Sequence, residues 1–153
     1  MIYQHIFLSP IGPLTLTATE EALCGLSFTL PLNQESRCCP LLLQAEEQLR
    51  AYFAGQRRAF NLPLAPSGTP FQQAVWQALC RIPYGEVRTY AQIAREIGRP
   101  RACRAVGMAN HNNPIAIIIP CHRVIGADGS LTGYAGGLEV KRALLALEGN
   151  PIL

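Results

Sequence analysis

Charge is scarce in this sequence: 15% of its 153 residues are Asp, Glu, Lys or Arg, against 49% that are hydrophobic. That balance excludes a disordered polyelectrolyte and fits one folded domain, or two small lobes. No apolar run approaches the ~18 residues that a membrane-spanning helix needs. The opening MIYQHIFLSPIG has no basic segment leading into an apolar core, so no export signal is read and a cytoplasmic location is expected. The six cysteines, Cys24, Cys38, Cys39, Cys80, Cys103 and Cys121, have no CxxC spacing. A chain of this length buries a core without disulfide staples, so free thiols are expected. His5, Cys24, Cys38 and Cys39 are candidate zinc ligands, but adjacent cysteines are not the usual ligand spacing, and neither metal nor cofactor is expected. Repeats and low-complexity tracts are absent too.

What charge there is lies unevenly. Residues 1–70 carry four Arg against five Glu, and residues 124–153 carry Lys141 and Arg142 against three acids. The segment 71–123 holds seven Arg against Glu86 and Glu96, a local net of +5 within a total of +3. An arginine-rich centre suits a polyanion, with nucleic acid ahead of a membrane surface, because no basic helix has an aromatic face.

Residues 2–8, 14–19 and 22–29 read as a small antiparallel sheet. In LLLQAEEQLRAYFAG, Leu42, Ala45, Leu49 and Phe53 fall at helical spacing, with Gly55 as the stop. Residues 56–68 read as a short strand and a linker. Thr69-Pro70-Phe71-Gln72 is a capping-box start for a helix to about Arg81. Thr89-Tyr90-Ala91-Gln92 repeats the box for a helix ending at Gly98, and Pro100 starts another that ends before Asn113-Pro114. Two short helices with a tight turn between them, arginines on the second, match a helix-turn-helix. Asp128-Gly129 reads as a turn between extended pieces, and LEVKRALLALEG as a last helix closed by Gly149.

The run AIIIP, residues 116–120, reads as a buried strand that delivers Cys121, His122 and Arg123 to the edge of the core. A thiol of pKa ~8.5 is only a few per cent thiolate at neutral pH, so a nucleophile here needs a base or cation nearby. Neighbours in an extended chain face opposite ways, but Pro120 ends strand pairing and lets CHR turn as a helix does, bringing imidazole within reach of the thiol or one water from it. Glu148 lies in the last turn of a helix, where a carboxylate meets the negative end of the dipole; orienting a histidine would account for it there.

PCHRV, with Asn113-Pro114 and the apolar run before it, resembles the active-site signature of the O6-alkylguanine-DNA alkyltransferases, the methylated-DNA–protein-cysteine methyltransferases. The likeness continues in register through GEVRTYAQIAREIGRP, RAVGMANHNNP, GYAGGLEVKRALLALEG and the early SPIGPLTL, over nearly the whole chain. It implies an α+β fold: a small supporting N-terminal antiparallel-sheet lobe of ribonuclease-H-like type over residues 1–68, and a mostly helical DNA-binding and alkyl-acceptor domain with a helix-turn-helix over 69–153. It implies irreversible, single-turnover transfer of the alkyl group of O6-alkylguanine, and of O4-alkylthymine, to Cys121. The partner is double-stranded DNA entered from the minor groove, and the protein acts as a monomer.

By position, His122 resembles the base, Glu148 its orienting carboxylate, Asn113 the residue bonding across the turns beside the acceptor, and Tyr90 the tyrosine that contacts the base and protonates departing guanine. Arg104 resembles the finger that replaces the everted nucleotide, with Arg101, Ala105 and Arg123 beside DNA. Small residues around Arg104 suit close approach to a minor groove, and eversion is required because a stacked O6 is out of a thiolate's reach. Val124, Tyr134, Ala135, Gly136 and Asn110 resemble the pocket, in which a backbone N–H of residues 134–137 faces O6 and the carbonyls of Cys121 and Val124 read the exocyclic amine. Many relatives have serine where Ala135 stands, and Asn110 makes the pocket more polar. Two alternatives stay open: a non-catalytic reader of alkylated bases, of a kind that lacks the acceptor cysteine, and a cysteine hydrolase without a DNA role.

Overall fold

Alternation builds the first element group. Leu14, Leu16 and Ala18 are buried, while Pro13 and Thr17 keep some exposure, the period of a sheet with one covered face; Thr15 departs from it, buried with its hydroxyl donating to the Thr29 carbonyl at 2.8 Å. A computed structural model of the protein describes residues 1–31 and 37–150, which divide into two units, Met1–Ser67 and Gly68–Leu153. In the first, β1 (Tyr3–Ser9), β2 (Gly12–Ala18) and β3 (Leu23–Ser27) form an antiparallel sheet in the order β1-β2-β3. The β1-β2 turn is closed by Ser9, whose hydroxyl donates to the Gly12 carbonyl at 2.6 Å. Helix α1 (Pro40–Phe53) buries Leu42, Ala45, Leu49 and Tyr52; the apolar stripe ends on Tyr52 rather than the expected Phe53. The strand expected within 56–68 is reduced to one parallel bridge, Leu23 to Leu64.

In the second unit both capping boxes form. Thr69 and Gln72 exchange side-chain and backbone bonds at the start of α2 (Pro70–Cys80), as Thr89 and Gln92 do at the start of α3 (Tyr90–Glu96). Gly68 is required by packing, since a Cβ there would sit 2.5 Å from the Trp76 ring. Trp76 in turn donates its indole N–H to the Ala109 carbonyl at 2.8 Å, tying α2 to the end of α4 (Cys103–His111). Helix α4 begins three residues after the expected Pro100. The N–H of Arg99 returns to the Ala94 carbonyl and that of Ala102 to Arg99, so residues 99–102 are spent on the turn after α3. Two-residue strands β4 (Arg88–Thr89) and β5 (Val124–Ile125) pair in parallel, and α5 (Leu138–Leu147) ends the described chain. After Asp128-Gly129 no second strand follows among the described residues.

The run 115–119 is not a strand. Its N–H groups turn inward, Ile118 to the Ala116 carbonyl and Ile119 to that of Ile115, and Ile117 takes φ +71°. A β-branched residue in the left-handed region is strained, by about 1–3 kcal/mol, and stays there because its surroundings hold it. Ile115, Ile117 and Ile119 are nonetheless buried, so the apolar pattern reports burial and not extension.

Candidate active site

Pro120 breaks the run, and Cys121–Arg123 form one turn of 3-10 helix, with the Val124 N–H donating to the Cys121 carbonyl. Cys121 is 4% exposed and His122 fully buried. Asn113 holds the turn from the other side: its Nδ2 donates to the Ile119 carbonyl at 2.7 Å and its Oδ1 accepts from the Ile115 N–H at 3.0 Å.

Burial pushes the Cys121 thiol above its ordinary value, while a hydrogen bond from the Asn113 side chain, the Lys141 ammonium and the Tyr134 side chain act the other way. His122 Nε2 lies 2.7 Å from Glu148 Oε2. Burial lowers the imidazole's pKa, and the carboxylate opposes that. A carboxylate that also pairs with arginine can only accept, so Nε2 carries the proton of the neutral ring and Nδ1 presents its lone pair. Nδ1 is buried and has no hydrogen-bond partner within the protein.

Arg123, expected beside DNA, is 7% exposed and faces inward. Its Nε donates to Glu148 Oε1 at 2.8 Å, Nη2 to Oε2 at 3.0 Å and Nη1 to the Ile82 carbonyl at 2.7 Å. The guanidinium also lies over Tyr84, 5.8 Å from the ring centre. A guanidinium buried and held at three points is turned away from any phosphate, and the surface charge of the central segment is smaller by one.

Glu148 follows the last turn of α5, and three contacts with the loop between α2 and β4 fasten that end. Tyr84 donates to the Leu147 carbonyl at 3.2 Å, Asn150 donates to that of Gly85 at 3.1 Å, and Gly85 approaches the Glu148 carbonyl with φ +84°. A side chain at Gly85 would meet that carbonyl at 3.1 Å in a conformation that L residues rarely adopt.

Tyr90 opens α3 half-buried, and its hydroxyl bonds that of Thr132. The Thr132 carbonyl accepts from Lys141 Nζ at 3.2 Å, and the Val124 carbonyl accepts from the same ammonium at 2.6 Å. Neither Lys141 nor Thr132 was expected. Lys141 had a signal, for it shares the period 141, 144, 145, 148 with buried Leu144, Leu145 and Glu148. Asn110 is 3% exposed and donates Nδ2 to the Cys121 carbonyl at 3.4 Å. Tyr134 and Val124 are buried, Gly136 is half-buried and Ala135 exposed. On α4, Arg104 and Ala105 are exposed, as are Arg101 and Arg99 in the turn before it. Among the described residues, no three His, Cys, Asp or Glu side chains group as a metal site, and His5 instead pairs with Glu46 at 2.6 Å.

The family model for the 6-O-methylguanine DNA methyltransferase DNA-binding domain matches residues 70–150, and that for the family's ribonuclease-like domain matches 2–66. This chain belongs to that family. A methylated-DNA–protein-cysteine methyltransferase of Methanosarcina barkeri is 54% identical, over 97% of this chain and 98% of the relative. One from Mycobacterium tuberculosis is 53% identical, over 97% and 93%. Among solved structures, Mycobacterium tuberculosis O6-methylguanine methyltransferase superposes with TM-score 0.88 at 51% identity, over 97% of this chain and 93% of that one. The same organism's OGT in complex with DNA gives 0.85 at 54% identity, over 95% and 92%. For a methyltransferase of this family, the buried thiol beside a carboxylate-held imidazole is the group to explain. The likeness also accounts for the α+β fold: a three-stranded antiparallel sheet with one helix, then a largely helical second unit.

Proposed function

We propose that this protein repairs DNA by taking the alkyl group of O6-alkylguanine onto Cys121, once per molecule. The observation that carries the reading is the buried Cys121-His122-Glu148 set, with Nε2 fixed on the carboxylate and Nδ1 unpartnered. His122 Nδ1 takes the thiol proton, directly or through one water. The sulfur then forms a bond to the alkyl carbon as the carbon–O6 bond breaks, and the electron pair stays on guanine. Tyr90 protonates the departing base and regains a proton from solvent, to which His122 releases the one it took from the thiol. The product thioether has no group beside it that could hydrolyse it, so turnover stops.

DNA is engaged by α3 and α4 read as a helix-turn-helix, with α4 in the minor groove and Arg104 filling the place of the everted nucleotide. Exposure of Arg101, Arg104 and Ala105 supports this. The chemistry is assigned to the second unit, which carries Cys121, His122 and Glu148, and the first is read as a supporting lobe. The protein acts as a cytoplasmic monomer, accepts O4-alkylthymine as well, and places Tyr134, Ala135, Gly136 and Val124 around the base.

Incubation with duplex containing O6-methylguanine, followed by peptide mass spectrometry, tests the reading. The peptide bearing Cys121 should gain one methyl group, to a single equivalent per protein. Repeated turnover on an ester, or DNA binding with no mass change, would favour the hydrolase or the reader instead.

A further inference from the structure

Asn110 holds an atom with no use in the folded protein. It lies one residue from the end of α4, 3% exposed, and its Oδ1 is buried with no hydrogen-bond partner. Leaving an amide oxygen dry and unpaired is costly, and such groups in native proteins call for an explanation. The amide's orientation is settled by its other end. Nδ2 donates to the Cys121 carbonyl at 3.4 Å, and the reversed amide would set oxygen against oxygen there. Oδ1 therefore belongs to the same amide whose Nδ2 bonds the carbonyl of Cys121.

The carbonyls expected to read guanine are meanwhile engaged. That of Cys121 accepts from the Val124 N–H and from Asn110 Nδ2, which fills both of its lone pairs. That of Val124 accepts the Lys141 ammonium at 2.6 Å. An exocyclic amine entering beside Cys121 brings two N–H donors into a place where the acceptor turn has one lone pair left, on the Val124 carbonyl, and Oδ1 is a buried acceptor without a donor.

We propose that Asn110 Oδ1 accepts a hydrogen bond from the 2-amino group of the everted guanine, making Asn110 a specificity-determining residue that selects aminated purines. The inference rests on the alkyl-transfer reading above and adds a recognition element to it. Asn110 then has two jobs: Nδ2 occupies the carbonyl that would otherwise bind the amine, and Oδ1 replaces it.

Single-turnover transfer from duplexes carrying O6-methylguanine or O6-methylhypoxanthine, which lacks only the amine, tests the assignment. The wild-type protein should react about five- to tenfold faster with guanine, the worth of one neutral hydrogen bond. In Asn110→Leu, whose side chain of similar shape offers no acceptor and still covers the Cys121 carbonyl, that preference should fall toward parity, whatever the absolute rate. Each protein's reactive fraction is titrated by methyl uptake, so misfolded material does not enter the ratio. A preference kept at its wild-type size in Asn110→Leu, or missing from the wild-type protein, would overturn the inference while leaving alkyl transfer intact. A wild-type protein inert toward both duplexes would defeat the alkyl-transfer reading and this one together.

Discussion

Arg123 and Glu148, 25 residues apart in the chain, form a two-point ion pair inside the protein, at 2.8 Å and 3.0 Å, and the oxygen at 3.0 Å also takes the His122 N–H at 2.7 Å. One carboxylate therefore serves both an arginine and the proposed base. Arg123 holds the His122 pKa down by charge, adding to burial. Replacing it as Arg123→Met should let the carboxylate act on the imidazole alone and raise its pKa. A protonated ring cannot take the thiol proton, so transfer should fall further at pH 6 than at pH 8. A rate–pH profile in single turnover reads this, and equal losses at both pH values would contradict it. Breaking a buried pair from one side should also cost about 3–5 kcal/mol in urea unfolding.

Lys141 gives a prediction of opposite pH sense. Its ammonium is desolvated, which lowers its pKa to about 8, and it favours the Cys121 thiolate by charge. Lys141→Met should slow transfer at pH 7 by about tenfold or more, the usual reach of one nearby cation on a pKa. The gap should narrow as pH rises past about 8, where the wild-type ammonium itself is lost. Stability carries its own sign. The unfolded lysine keeps its proton up to its ordinary 10.5, so between about 8 and 10.5 the unfolded chain binds more protons and the wild-type protein gains stability with pH. The variant should lack that rise in a pH series of urea midpoints.

Asn113 spans a turn that contains strained Ile117, donating to the Ile119 carbonyl and accepting from the Ile115 N–H. Asn113→Ala leaves that buried N–H without its acceptor, a loss of about 2–4 kcal/mol once the second bond is counted. The same change removes a hydrogen bond that favours the Cys121 thiolate. Transfer should therefore slow at neutral pH even in the fraction that stays folded, measured as rate per titrated acceptor. A stability loss with an unaltered rate would assign Asn113 to the fold alone.

Much of this molecule could be read before its coordinates, and the misses share a cause. Thr69 with Gln72 and Thr89 with Gln92 are local signals, and both boxes close as their spacing demands. The Ile run failed as a strand because its polar groups are satisfied by Asn113 and by one another, which apolar periodicity does not report. Arg123 looked like a surface cation because composition counts charges and does not show burial; its partner is fixed by tertiary packing. Lys141 was passed over for the same reason, although its place on the buried stripe of α5 could have marked it. That His122 and Glu148 meet beside a buried Cys121 was legible from residue type and family pattern. The occupied carbonyls of Cys121 and Val124 were not, since backbone acceptors leave no trace in a sequence.

Arg104 stands exposed on α4 with Ala105 beside it and Met108, 62% exposed, one turn further along. If its guanidinium replaces an everted base, it acts only where a stack must be opened. Arg104→Ala should therefore slow repair of O6-methylguanine in duplex by about tenfold or more, since unstacking costs a few kcal/mol. Reaction with a free O6-alkylguanine base should change little, because nothing has to be extruded. Arg101→Ala gives the contrasting case: as a phosphate contact it should weaken binding to any duplex and reduce the slope of log affinity against log salt by about one. Fluorescence anisotropy across a salt series separates the two residues. Equal losses on duplex and free base for Arg104→Ala would remove it from the helix interior and leave it as one more surface cation.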